Sequence, residues 1–369
     1  MTSIPETMRA VVLVGHGGLD KLEYHEDWPT PTPAPGEVLI KVGACGLNNT
    51  DINTRTAWYS KTVTDGITDA GGKGGFDSAD EATGSWSNTP LTFPRIQGAD
   101  VAGRIVAVGE KVSSSRIGQR VVIDPWLHGY GDWHLPENTG YYGSECDGGF
   151  ADYTTVRADN AVPVTSALSD AELASFPTVL TTAEHLVWRT GLQPGEWVVI
   201  TGASGGVGTT AIQLCLARGA QVIGVASEAK ARTLSDLGCA AVIDRNASDL
   251  EHQIRAVAGG PVDVALDVVG GAMFLPLINA LRQRGRYSTS GAIAGPMVEF
   301  DLRQLVYKDI QMTGATISPP NLFPRVVRMI SSGILKPMLA ASYPLRDLAK
   351  AQEAFIAKKH TGNIVVTME

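Results

Sequence analysis

Val198-Val199-Ile200-Thr201-Gly202-Ala203-Ser204-Gly205-Gly206-Val207-Gly208 is the stretch on which the fold turns. Its opening apolar run suits a strand buried on both faces. The glycines that follow permit a sharp turn, and the pattern over 207–218 predicts a helix. Such a turn lets a diphosphate approach the helix N-terminus, where free N–H groups and the helix dipole hold negative charge. Ser204, Gly205, Gly206 and Val207 are therefore candidate dinucleotide ligands.

Downstream, strands are expected at 221–225, 241–243 and 262–268, with helices at 229–237, 249–258 and 274–281 between and after them. Strand–helix alternation implies a parallel sheet covered on both faces. The strand after the glycine turn closes as Val225-Ala226-Ser227, with Lys230 and Arg232 just beyond. A site for NAD places Asp or Glu at that tip to bond the ribose 2′-hydroxyl. Glu228 comes one position late for that task. A hydroxyl and cations suit a 2′-phosphate, so Ser227 and Lys230 favour NADPH over NADH.

Upstream, short strands at 10–14, 38–42, 96–112 and 121–123 are punctuated by glycine, which fits a small curved β-barrel. Pro29, Pro31, Pro33 and Pro35 make a stiff connector. Residues 48–58 read as a short helix. Residues 61–91, rich in glycine and without a period, read as a long loop and a candidate lid over the cleft. Toward the other end, helices at 323–332 and 346–359 and a strand at 363–366 are expected.

The chain has 369 residues, 44% apolar and 18% charged, enough for two domains and unlike a disordered polyelectrolyte. No run of 18 apolar residues or secretory leader is evident, so a cytoplasmic protein away from membranes is expected. A net charge of −8 argues against a nucleic-acid partner. Four unpaired-looking cysteines support neither a disulfide framework nor a Cys-rich zinc lobe.

Two further stretches make the pattern recognisable. Gly46-Leu47-Asn48-Asn49-Thr50-Asp51-Ile52-Asn53-Thr54-Arg55, with Tyr59, follows a G-x-N-x-x-D-x-x-x-R-x-x-x-Y run. Gly98-Ala99-Asp100-Val101-Ala102-Gly103 leads to Gly118-Gln119-Arg120-Val121, and Gly148-Gly149-Phe150-Ala151-Asp152-Tyr153 follows. With the glycine turn, the chain resembles the zinc-free branch of the medium-chain dehydrogenase/reductase superfamily, the quinone oxidoreductases and enoyl reductases. The resemblance implies an α/β protein with a GroES-like β-barrel catalytic domain from residues 1–165 and 323–369. A Rossmann domain, a doubly wound parallel sheet, would span 166–322. NADPH would lie between them, and a homodimer would form through Rossmann edge strands near 310–317.

The resemblance also carries residue roles. Positions that hold catalytic zinc in alcohol dehydrogenases of this superfamily match Asn48, Ala99 and Leu180, a poor ligand set. Asn48 then offers an amide donor in place of the metal, and Tyr59 matches the family's active-site tyrosine as proton donor. Asp51 and Arg55, at i and i+4, read either as an ion pair or as orienting groups. Thr182 would touch the nicotinamide, Arg245 the adenosine or its 2′-phosphate, and Val269, Gly270, Ser290 and Gly291 the cofactor edge. Gly362-Asn363 stands where relatives have Gly-Lys. His128, Asp132, His134, Glu145 and Cys146 share one insertion and read as solvated loop residues or a metal cluster. Without zinc, hydride transfer suits a quinone or an α,β-unsaturated carbonyl as the small-molecule substrate. An alcohol dehydrogenase or carbonyl reductase, and a non-catalytic NADPH sensor, are the alternatives.

Overall fold

A computed structural model describes residues 3–76, 79, 86, 90–129 and 132–368. The glycine turn sits at the head of a six-stranded, all-parallel sheet. Its spatial order is Ala241–Asp244, Gln221–Ala226, Trp197–Ile200, Val262–Asp267, Leu281–Thr289, Gln311–Gly314. The chain enters at Trp197–Ile200, winds to one edge, then returns to wind toward the other. The pleat sends alternate residues to opposite faces. Val198 and Ile200 pack with helices Pro177–Thr190 and Gly206–Ala217, whereas Val199 packs with Leu250–Ala258 and Phe274–Ala280. Both faces being covered explains why this strand is apolar throughout. The switch point lies between Trp197–Ile200 and Val262–Asp267, and a crevice opens beyond the carboxyl ends of those strands.

The second sheet joins both halves of the chain. Its order is Leu339–Pro344, Asn363–Thr367, Glu37–Gly46, Asp100–Val108, Arg120–Ile123, Ala161–Pro163, with Tyr153–Arg157 also on Glu37–Gly46. Thr7–Leu13 pairs with Leu22–Pro29 and bridges to Ala151 and Arg95. The two domains share apolar core: Ala44, Ala102, Val122 and Val365 of the barrel meet Leu180, Ala183 and Leu186 of helix Pro177–Thr190. That helix starts with Pro at its first position and stops at Gly191, whose φ of 58° is the left-handed cap glycine tolerates.

Three expectations change. The barrel does not resume at 323, because helix Leu322–Ser331 buries Phe323, Val326, Val327 and Ile330 against Pro177–Thr190. Each such side chain contributes about 1.5–3 kcal/mol when fully buried, which commits the helix to the Rossmann core. The barrel resumes with Leu339–Pro344. Within 61–91, Thr68 caps a one-turn helix, Asp69–Gly74, by accepting from Gly71 N–H at 2.9 Å. Residues 77, 78, 80–85 and 87–89 of that segment lie outside the described residues. The insertion after 123 contains a hairpin, Trp126–His128 with Thr139–Tyr141, in which Trp126 and Tyr141 are direct cross-strand partners.

Candidate active site

Helix Gly206–Ala217 begins at N-cap Gly205. Its first internal bond runs from Thr209 N–H to Gly205 O at 2.9 Å, leaving the N–H groups of Gly206, Val207 and Gly208 without a carbonyl of their own helix. Gly362 N–H donates to Ser204 O at 2.9 Å and stitches the turn to the C-terminal segment.

A cleft of about 470 Å³ opens there, walled by Asn48, Asn49 and Ile67 on one side and the glycine turn on the other. Ser204, Gly205, Gly206, Val207, Ser227, Lys230, Arg245 and Val269 line it. Thr182, Gly270, Ser290 and Gly291 do not line the cleft. Val179, one turn earlier than Thr182, takes the helix position on the wall. Gly270 is packed beneath Ala292, where a Cβ would come within 3.0 Å of the backbone. Ile293 and Ala294 occupy the wall beyond Gly291, and Ile67 N–H donates to Ile293 O at 2.8 Å, so the insertion reaches across to the Rossmann domain.

Among the described residues the lining includes Lys230, Arg245 and Lys358 and no carboxylate. Lys230 Nζ donates to Lys358 O (3.0 Å) and His360 O (2.5 Å), with one N–H left over. Lys358 Nζ donates to Asn49 Oδ1 at 2.7 Å and stands over the Phe355 ring. Burial and the neighbouring Lys230 pull Lys358 down to about 7. Free N–H groups at a helix start, with Lys230, Arg245 and the readily deprotonated Lys358 on the same wall, fit the diphosphate of a dinucleotide. Sequence reasoning missed Lys358 and His360, because only folding brings 355–363 beside the glycine turn.

The inner end of the cleft is built on helix Asn49–Arg55. Asp51 accepts from Asn48 N–H at 2.7 Å, which fixes the first turn. Burial raises Asp51 to about 7, against backbone hydrogen bonds and with the added charge of Asp100. Asp100 accepts from Thr178 N–H (2.8 Å) and Thr178 Oγ1 (2.5 Å), and Tyr141 Oη lies 2.7 Å from Thr178 Oγ1. Burial raises Asp100 to about 6, opposed by Asn48 and Thr178. Asn48 Nδ2 is close enough to feel the Asp100 charge yet has no bond of good geometry, and Thr50 Oγ1 stands likewise beside Tyr141.

Leu180 is not the third member of this corner. It points into the shared core, and Thr178 faces Asp100 instead. Asn48, Ala99 and Thr178 supply an amide, a methyl and a hydroxyl, a set that does not fit a catalytic zinc ion. Among the described residues no group of three or more His, Cys, Asp or Glu is placed to hold a metal, the 128–146 insertion included.

Arg55 does not pair with Asp51. Its buried guanidinium donates to Gln352 Oε1 (2.9 Å), Gly17 O (2.8 Å) and Gly72 O (2.6 Å), away from the cleft. Tyr59 lies against the Asn53 amide, and burial pushes its phenol well up. Its ring belongs to an aromatic row, Trp58, Tyr59, Trp86, Trp126 and Tyr141, with successive centroids 5.0–5.7 Å apart.

A doubly wound sheet, a glycine turn with free N–H groups and a barrel closing the cleft form a two-domain architecture suited to a dinucleotide. Residues 34–166 match the alcohol dehydrogenase GroES-like domain and 206–332 the zinc-binding dehydrogenase domain. A solved structure from Sinorhizobium meliloti 1021, provisionally an alcohol dehydrogenase, is 42% identical with a TM-score of 0.89, over 100% of this chain and 98% of that one. Quinone oxidoreductase of Mus musculus is 26% identical over 100% of both chains. The NAD-dependent alcohol dehydrogenase of Sulfurisphaera tokodaii is 28% identical, covering 93% of this chain and 95% of its own. The chain belongs to the medium-chain dehydrogenase/reductase superfamily and is an NAD(P)-dependent oxidoreductase.

Proposed function

We propose that the protein is an NADPH-dependent, zinc-independent reductase of quinones or α,β-unsaturated carbonyl compounds. The observation that carries this reading is the corner at Asn48, Ala99 and Thr178, an amide, a methyl and a hydroxyl at positions where a catalytic zinc ion would need stronger ligands. The cofactor supplies hydride when bound. The Asn48 amide, on the cleft wall, is the donor this reading assigns to an oxygen that gains charge during reduction. Lys230 and Arg245 favour the 2′-phosphate of NADPH. Quinone reduction is also what the Mus musculus relative's name states for that protein.

The test is oxidation of NADPH and NADH with 1,4-benzoquinone, 2-cyclohexen-1-one and a primary alcohol–ketone pair, each with and without chelator. We expect chelator-insensitive turnover of the quinone or enone with NADPH. In Lys230→Ala the KM for NADPH rises about tenfold, as losing one charge-assisted bond implies, while that for NADH changes little. Chelator-sensitive alcohol oxidation would replace this reading with the alcohol dehydrogenase one.

The partner we propose is a second copy. Leu302, Val306 and Tyr307 are 67%, 63% and 74% exposed beside the edge strand Gln311–Gly314, an unpaired and apolar margin. Light scattering should give twice the chain mass, and Val306→Glu should give the monomer. A monomeric native protein rejects this interface.

A further inference from the structure

We propose that Tyr141 is the proton donor of this site and that Asp100 feeds it through Thr178. For its acceptor the proposal rests on the reductase reading above; the relay itself is a property of the chain.

The hairpin Trp126–His128 with Thr139–Tyr141 holds the tyrosine rigidly. Tyr141 N–H donates to Glu145 Oε2 at 2.7 Å, and its ring packs on Trp126 at 5.0 Å. The phenol is thereby aimed at the start of helix Pro177–Thr190. From there one line of contacts runs Tyr141 Oη to Thr178 Oγ1 (2.7 Å) to Asp100 Oδ1 (2.5 Å). Three segments far apart in sequence thus converge on a single hydrogen-bonded chain. Its outer end abuts Thr50, whose hydroxyl faces the Tyr141 phenol, and the Asn48 corner, whose amide faces Asp100. Asn48 is only 6% exposed, faces Asp100 and also lines the cleft, so it joins the carboxyl end of this chain to the cleft wall.

The chain has two directions. With Asp100 ionised, Thr178 gives its only hydroxyl proton to the carboxylate, so Tyr141 must donate to Thr178 and has nothing for a substrate. With Asp100 protonated, the sequence reverses: Asp100 donates to Thr178, Thr178 to Tyr141, and Tyr141 outward. Among the described residues Tyr59 lies off this line, with its phenol against Asn53 and Asp51 nearby. During reduction of an enone, hydride forms the new bond at the β-carbon and the π electron pair moves to the carbonyl oxygen. Tyr141 Oη gives that oxygen a proton, Thr178 restores Tyr141, Asp100 restores Thr178, and water reprotonates Asp100. The acceptor gains one hydride and one proton, and the cofactor loses two electrons.

The groups facing Asp100 are Asp51 from helix Asn49–Arg55, Cys45 from strand Glu37–Gly46 and Tyr141 from the hairpin. Asp100 at about 6 and Asp51 at about 7 both titrate near neutrality, so variants must separate them. A relay needing protonated Asp100 gives a kcat that falls as pH rises through about 6.

Two arms test this with the full chain. In the first, Tyr141→Phe and Thr178→Val are assayed with NADPH and 2-cyclohexen-1-one or 1,4-benzoquinone. Expected is a kcat loss of about a hundredfold or more with KM for NADPH little changed. The double variant should be no worse than either single one, and Asp100→Asn should lose the fall of kcat with pH. In the second, infrared pH-difference spectra are taken without cofactor. Asp100→Asn should remove a carboxyl band that Tyr141→Phe and Thr178→Val merely shift. Wild-type turnover kept in Tyr141→Phe, or a loss confined to Tyr59→Phe, overturns the proposal. If the wild type reduces neither probe, the reductase reading fails, and the infrared arm decides the relay alone: an Asp100 band unmoved by Tyr141→Phe rejects it. Tyr141→Phe keeps the ring and its packing, so the test survives if Asp100→Asn does not fold.

Discussion

Replacing Gly208 by Ala weakens binding of the nicotinamide dinucleotide by about ten- to a hundredfold and costs about 1–3 kcal/mol of stability, the usual range for overpacking. A Cβ at this position would lie 2.3 Å from Gly202 O, 2.6 Å from Ala203 Cα and 2.7 Å from Ala203 C. All three are backbone atoms of the turn, so no rotamer change relieves the clash. The turn must move away from the helix, and the free N–H groups of Gly206 and Val207 lose their aim. Gly205→Ala is the informative contrast, since its Cβ would meet only Gly202 O at 3.4 Å. Titration of NADPH fluorescence alongside urea unfolding measures both effects. Equal affinities for the Gly208→Ala and wild-type proteins would show that the turn does not hold the diphosphate.

Arg55→Ala has the larger effect on stability, about 3–5 kcal/mol, the scale for breaking a buried network of three hydrogen bonds from a charged donor. Arg55 is 0% exposed, and its three bonds tie the loop at Gly17, the insertion helix at Gly72 and helix Leu348–Ile356 through Gln352. Truncation leaves two carbonyls and an amide oxygen buried without their donor, each an uncompensated desolvation of about 1–3 kcal/mol. Lysine does not rescue it, because one ammonium cannot reproduce a planar fork reaching three acceptors. Burial already pulls the guanidinium down to about 10, a sign of how little water reaches it. Chemical denaturation of Arg55→Ala and Arg55→Lys checks the prediction. A protein of native stability but lost turnover would instead return Arg55 to the catalytic role its place in the motif suggested.

That contrast shows how motif and function part company. Asp51 and Arg55 stand one helical turn apart, and i, i+4 spacing says that they face the same side. It does not say that a capping bond to Asn48 N–H claims Asp51, or that residues 17, 72 and 352 claim Arg55. Tyr59 likewise matches a family position, but the chemistry around it depends on Asn53, Trp58 and Trp86, and the hairpin brings a second tyrosine to the same row.

By itself the sequence determined the glycine turn, the doubly wound sheet and the barrel, because these follow from local periodicity and from backbone freedom at particular glycines. It also placed Ser204 to Val207, Ser227, Lys230 and Arg245 together, and the structure has them on one cleft wall, since a strand tip and the following helix start fix where such residues point. Only the tertiary structure decided the rest. Lys358 reaches the cleft from 128 residues beyond Lys230, and Tyr141, Thr178 and Asp100 meet across separations of 37 and 78 residues. Hydrogen bonds between such distant segments leave no period in the chain. Burial then sets the protonation of Asp51 and Asp100, and burial belongs to the packed molecule rather than to any stretch of its sequence.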